Sequence, residues 1–285
     1  NSKETFILVN NWFMMFYLLT VLLGTIYPIF TDVLTENKIS VGPPFYNIVI
    51  IPVVIILLLV MAVGPRVKWI KDKFENLKNY LLILVGAILI NFLIIYLFKS
   101  YSILSNLIII SALFLIISSL FDTFKSFKNK KIDYAQSISH AAFGLLVLFI
   151  GLNNIFSIEK DYNIKLGETK KFKDYSIKLQ NLELEEFSNY KAIIGELAIT
   201  NVKTNEKNVL KPEIRIYENP QTLTYEAAIK TNILRDYYLT MSNIDRSEYY
   251  NIKFQKKPFM IWIWISVVMI AFGGFLRLFK NAKNN

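Results

Sequence analysis

The residue with the clearest capacity for chemistry is His140, the only histidine in the 285-residue chain, placed inside an apolar run that reads as a helix. An imidazole in that setting is costly unless its nitrogens are used. Its readings are a haem or metal ligand, a proton relay, or a hydrogen bond to a neighbouring helix. A neutral nitrogen donor suits haem iron, yet a six-coordinate haem needs a second axial group and this chain has no second histidine. Cysteine is absent, which excludes a thiol nucleophile, a dithiol redox pair, a disulfide framework and thiolate ligation of metal or haem. No Walker loop, dinucleotide fingerprint, zinc motif or nucleophile elbow occurs.

The elements that must hold His140 are membrane-type helices. Apolar residues make up 54% of the chain and its mean hydropathy is +0.38, with the charges gathered in blocks. About 20 apolar residues cross a bilayer. Six runs approach or reach that length: Phe6 to Phe30, Asn47 to Val63, Tyr80 to Phe98, Ile103 to Phe121, Ser137 to Phe156 and Pro258 to Phe279. The second and fifth read as the most marginal. The formal charge of +10 belongs to topology and not to nucleic acid, because 157–257 holds 17 basic against 15 acidic residues. Arg66, Lys68, Lys71, Lys73 and Lys78 mark one cytoplasmic loop, and Lys125, Lys128, Lys130 and Lys131 another. Both termini then fall inside and 157–257 outside.

The spans carry other polar residues, Asn10, Asn11, Asn91, Asn106, Ser111, Ser137 and Ser139, for which inter-helix hydrogen bonds are the ordinary use. Pro28 and Pro52 are expected to kink or end helices. Val41 to Tyr46 reads as a rigid turn that starts the second span. Trp262 and Trp264, beside Lys256 and Lys257, read as an interfacial aromatic belt.

The insert changes period to alternation, at Tyr175, Ile177 and Leu179, then Leu182 and Leu184, Ile214 and Ile216, and Ile252 and Phe254. Half-buried strands are expected, with turns at Gly167-Glu168 and Asn219-Pro220, and with Leu223 to Leu239 helical or irregular. The expected fold is a six-helix polytopic membrane protein with one small all-β extracytoplasmic domain, a β-sandwich or partly closed barrel, between the fifth and sixth helices. The divisions are a five-helix membrane domain over 1–156, the β-domain over 157–257, and a final helix with a cytoplasmic tail over 258–285. Arg215, Arg235 and Asp236 lie beside aromatic residues, as fold-stabilising ion pairs or as a docking surface for a partner protein.

Taken in order, several stretches resemble the C-terminal portion of the CcmF family of cytochrome c-type biogenesis proteins. They are Ser2 to Thr5 with Leu8-Val9-Asn10-Asn11, Leu22 to Pro28, Val41 to Asn47, Gly64-Pro65-Arg66, Ser139-His140-Ala141, Pro212 to Tyr217, Thr224 to Ile229, Leu234-Arg235-Asp236, Lys257-Pro258-Phe259 and Gly273-Gly274. The resemblance implies a haem lyase that joins haem vinyl groups to the thiols of a Cys-x-x-Cys-His segment in apocytochrome c, with reduced iron. It implies that His140 is one axial ligand of a membrane haem b, used as an electron relay. Ser137 or Ser139, close to it in sequence, is expected as its neighbour contact.

The family's tryptophan-rich segment, its flanking histidines and its first membrane histidine would all precede residue 1. A C-terminal portion completed by a missing N-terminal part or a split-gene partner is therefore expected. The implied partners are apocytochrome c, a haem-carrying chaperone, thiol-handling subunits and the lipid bilayer, without nucleic acid. The implied location is the bacterial inner membrane, or the mitochondrial inner membrane for an organellar source. A transporter with an external β-domain competes poorly, since the six spans have no Asp or Glu near their centres. A non-catalytic scaffold of the maturation complex is the other alternative.

Overall fold

A computed structural model describes residues 3–35, 39–66, 77–98, 102–128, 134–243 and 247–282. Six long helices and ten strands follow in the order α1 (Lys3–Thr35), α2 (Pro43–Val63), α3 (Leu77–Phe98), α4 (Ile103–Lys128), α5 (Tyr134–Phe156), ten strands, then α6 (Met260–Ala282). Each helix is long and apolar enough to cross a membrane. The second and fifth runs extend at their N-terminal ends, giving 21 residues in α2 and 23 in α5. At 1.5 Å per residue, both match the hydrocarbon thickness of a bilayer.

Local chemistry explains the boundaries. α2 starts on Pro43 and Pro44 after the extended Gly42, since a proline in the first turn has no N–H to leave unpaired. Val41 to Tyr46 is thus a helix-start device, and Tyr46 has a second use. A Cβ on Gly24 of α1 would collide with the Tyr46 phenol, so Gly24 lets the two helices approach there. Pro28 and Pro52 both lie within their helices and end neither. Leu58 and Ala62 of α2, Tyr80 and Ala87 of α3, Ala112 and Leu115 of α4 and Val147 of α5 form one buried cluster. The loop charges Lys68, Lys71, Lys73, Lys130 and Lys131 lie outside the described residues.

The strands are β1 (Ile158–Ile164), β2 (Thr169–Phe172), β3 (Tyr175–Glu186), β4 (Tyr190–Asn201), β5 (Lys207–Leu210), β6 (Glu213–Glu218), β7 (Gln221–Glu226), β8 (Ala228–Thr231), β9 (Arg235–Asn243) and β10 (Tyr250–Pro258). They form a four-stranded sheet, β1-β10-β9-β8, and a six-stranded sheet, β2-β3-β4-β6-β7 with β5 on β4. All pairings are antiparallel. Ile177, Leu179, Leu197, Ile199 and Ile214 from one sheet meet Ile164, Tyr237, Leu239, Met241, Ile252 and Phe254 from the other in a single core. The Tyr175 ring lies 5.4 Å from Phe254 and 5.9 Å from Tyr237. This is a β-sandwich.

Two sequence expectations are corrected. Leu223 to Leu239 is neither helical nor irregular: it contains part of β7, all of β8 and the first half of β9. Pro258 does not open the last helix but closes β10, and Phe259, at φ +62°, turns the chain into α6. The alternation expected through β3 also changes phase for a reason. A bulge between Leu179 and Asn181 adds one residue, so the inward set moves from Tyr175, Ile177 and Leu179 to Leu182.

Asp236 is 5% exposed in this sandwich. Burial pushes its carboxyl above the ordinary carboxylate value, opposed by hydrogen bonds from the Asn232 main chain, Thr231 and Tyr238. The folded state therefore binds this proton more tightly than the unfolded one. The stability tied to the group is whole below the ordinary carboxylate value and is lost as pH rises through the folded value. Asp236→Asn, uncharged throughout, should melt at a higher temperature than the wild-type chain at pH 7. The difference should vanish towards pH 4 in circular-dichroism melts in detergent; a lower melting point at pH 7 would contradict the sign.

Candidate functional site

His140 sits in the second turn of α5, half-buried. With Gln136 one turn earlier it lines a cavity of about 190 Å³, whose other walls are Phe6, Ile7 and Asn10 of α1, Val60 and Met61 of α2, and Gly64-Pro65 of the single 3₁₀ turn that follows α2. The lining is mostly apolar, with amides at Asn10 and Gln136.

The main chain of Met61 faces the imidazole as an acceptor. Helix geometry explains why that acceptor is free. In α2 the N–H of Gly64 still bonds the Val60 carbonyl, four residues back. The next residue in register, Pro65, has no N–H, so the Met61 carbonyl loses its intrahelical donor. That carbonyl faces the His140 imidazole, and a neutral imidazole that donates from one ring nitrogen keeps a lone pair on the other.

Ser139, one of the two expected neighbour contacts of the imidazole, packs against α6. A Cβ on Gly273 would sit 2.9 Å from the Ser139 main-chain nitrogen and 3.1 Å from the Ala135 carbonyl oxygen, while a Cβ on Gly274 meets nothing within 4 Å. A second cavity of about 470 Å³ opens here, lined by Ile7, Ala135, Gln136, Ser139, the two glycines and Arg277. Ile7 and Gln136 border both cavities.

The remaining candidates lie in the β-domain, Arg215 on β6 and the neighbours Arg235 and Asp236 on β9. Arg215 Nε donates to Glu213 Oε2 at 2.8 Å, and its guanidinium lies 4.9 Å from the centre of the Tyr190 ring. Tyr190 in turn stacks on Phe187 and leans on Tyr217. Arg235 of β9 donates from Nη2 to Glu206 Oε2 at 3.0 Å, across to the turn before β5. Each arginine is held in an ion pair within the β-domain. Asp236 is buried, and Thr231 Oγ1 donates to its Oδ2 at 3.4 Å. Sequence reasoning missed Met61, Pro65, Asn10 and Gln136 as neighbours of the histidine. The four-residue step from Met61 to Pro65 was the available signal.

Residues 155–258 match the family described as CcmF C-terminal beta-sandwich, which takes in β1 through β10. CcmF of Escherichia coli is 26% identical over 284 residues, covering 98% of this chain and 44% of its own length. CcmF of Pseudomonas fluorescens is 27% identical, covering 96% and 43%. The chain is similar to the C-terminal portion of these CcmF proteins along nearly its whole length. NrfE of Haemophilus influenzae, a cytochrome c-type biogenesis protein, is 21% identical, covering 98% and 44%. A solved structure, "Cytochrome c Heme Lyase CcmF", shares the fold with a TM-score of 0.71 at 20% identity, over 96% of this chain and 45% of that one. The chain thus spans less than half the length of these CcmF relatives, and it is a multi-pass membrane protein with a β-sandwich.

The packing has measurable consequences at two places. Gly273→Ala forces main-chain atoms of α5 and α6 apart and should cost about 1–3 kcal/mol, typical of overpacking, whereas Gly274→Ala should leave the melting temperature in detergent unchanged. Equal effects of the two would remove the close approach. Pro65→Ala restores a donor to the Met61 carbonyl. With ring-¹⁵N histidine, which labels only His140, the wild-type chain should give the signal of one fixed tautomer. The variant should show exchange between tautomers, and Met61→Leu, which keeps the carbonyl, should match wild type.

Proposed function

We propose that this chain is the C-terminal part of a membrane haem lyase for cytochrome c maturation. The whole protein joins haem covalently, through thioether bonds, to the Cys-x-x-Cys-His segment of apocytochrome c, and His140 is one axial ligand of a membrane b-type haem. The observation that carries the reading is the setting of His140: a sole imidazole beside an apolar-walled cavity, with a main-chain acceptor at Met61. Its support beyond that is the match to CcmF along nearly the whole chain.

The donor set fits an axial imidazole. Phe6, Val60 and Met61 supply apolar walls for a flat hydrophobic ring, and Asn10 and Gln136 offer polar edges. A b-type haem bound there would supply one-electron transfer, keeping iron reduced for thioether formation. The chain's own residues do the rest: His140 ligates, the Met61 carbonyl fixes the tautomer and ring plane, and Pro65 keeps that carbonyl available. A bis-imidazole site takes its second histidine from outside this chain, either from the portion of the relatives that it does not span or from another polypeptide.

In this reading α1 to α6 lie in a bacterial inner membrane, with the basic loops in the cytoplasm and the β-sandwich in the periplasm beside apocytochrome c, the haem-carrying chaperone and the thiol-handling subunits. Co-expression of the chain with the portion of a CcmF relative that it does not span should give the reduced-minus-oxidised spectrum of a six-coordinate b-type haem. His140→Ala should abolish or strongly change it; an unaltered spectrum would take His140 out of the site.

A further inference from the structure

The hairpin between β8 and β9 is apolar at its tip, where a water-facing turn ordinarily carries Asn, Asp or Gly. Asn232 N–H donates to the Arg235 carbonyl at 3.1 Å and closes the turn, leaving Ile233 68% and Leu234 64% exposed. On β8 just behind them, Ile229 is also exposed. Nothing in the fold of the sandwich needs these three side chains, since its core is complete without them.

The tip is tied to the first turn of α6. The Phe259 N–H donates to the Leu234 carbonyl at 3.0 Å, and Trp262 Nε1 donates to the Ile233 carbonyl at 3.0 Å. The last turn of α5 is held at the same place, because Asn153 Nδ2 donates to the Pro258 carbonyl. Both carbonyls of the tip are therefore satisfied internally, the condition that backbone must meet at the edge of a hydrocarbon phase. Behind the apolar tip come cations and aromatics: Lys230 is exposed on β8, and the Lys257 ammonium lies 5.0 Å from the centre of the Tyr238 ring. An apolar point, an indole at its base and lysines set back from it form the pattern of a segment seated at a lipid headgroup boundary.

We propose that the β8–β9 hairpin is a lipid anchor, with Ile233 and Leu234 entering the acyl boundary of the bilayer at the surface where α6 begins and Trp262 at headgroup level. The anchor rests on the reading of α6 as a membrane span, and the experiment separates the two.

The chain has no cysteine, so single cysteines carry a nitroxide label without background. Labels go at Ile233, at Leu234, at Val268 on α6 and at Leu184 on β3; the last two residues are each 67% exposed. The whole chain is reconstituted in phosphatidylcholine vesicles, and collision with oxygen is compared with collision with a water-soluble nickel chelate. Ile233→Cys and Leu234→Cys should favour oxygen, as Val268→Cys does, and Leu184→Cys should favour nickel. Nickel access at 233 and 234 with oxygen access at 268 overturns the anchor and keeps the span. Nickel access at 268 overturns the span itself. Shielding of 233 and 234 from both reagents means that protein covers the tip, which also overturns the anchor.

Discussion

A main-chain carbonyl or N–H that reaches lipid without a partner costs several kcal/mol, and the satisfaction of these groups organises this chain more than any side-chain contact. Pro28 and Pro65 each withdraw a donor that a helix would normally supply. Around Pro28, which frees the Gly24 carbonyl, the hydroxyls of Thr25, Thr31 and Thr35 bond other main-chain carbonyls of the same helix. At Pro65 the freed carbonyl is that of Met61, and its partner is the only histidine of the chain. The same accounting governs the corner from β10 into α6, where the Phe259 N–H and the Trp262 indole are both used on the β8–β9 tip.

This constraint alters what the polar residues of the spans are for. Inter-helix hydrogen bonds are the ordinary expectation, yet Ser111 bonds the Leu107 carbonyl at 2.7 Å and Thr123 that of Ser119 at 2.9 Å, each four residues back on its own helix. Between helices, contact rests more on size. Gly24 under Tyr46 and Gly273 against Ser139 each place a missing Cβ where two helices meet, in line with packing in a solvent that gives apolar surfaces no reason to leave it.

The helices were legible because an unbroken run of about 20 apolar residues has little use except to cross a bilayer, and strands such as Ile252 and Phe254 because alternation with a buried face is a direct imprint of the pleat. β7 and β8 were not legible. Leu223, Tyr225 and Ile229 are all exposed, so the strands that carry them show apolar residues on a face away from the core, and the pattern loses its meaning as a burial signal. The bulge at Leu179 to Asn181 hid in the same way, since it appears in sequence only as a change of phase. His140 was conspicuous by being alone. Its partner was not, because a carbonyl acceptor belongs to every residue and only the proline four positions on distinguishes Met61 from its neighbours.

That last asymmetry has a mechanistic consequence. A side chain that orients an imidazole can be exchanged by one mutation for another of different strength, so the orientation drifts with sequence. A main-chain carbonyl has one strength and one direction, set by the axis of its helix. In α2 that axis is fixed by the packing of Leu58 and Ala62 in the buried cluster shared with α3, α4 and α5. The ring plane of His140 is therefore referred to the packing of four helices and not to a neighbouring side chain. Substitutions that tilt α2, even those remote from the cavity, should act on the imidazole more than substitutions of Ser137 or Ser139 beside it in sequence.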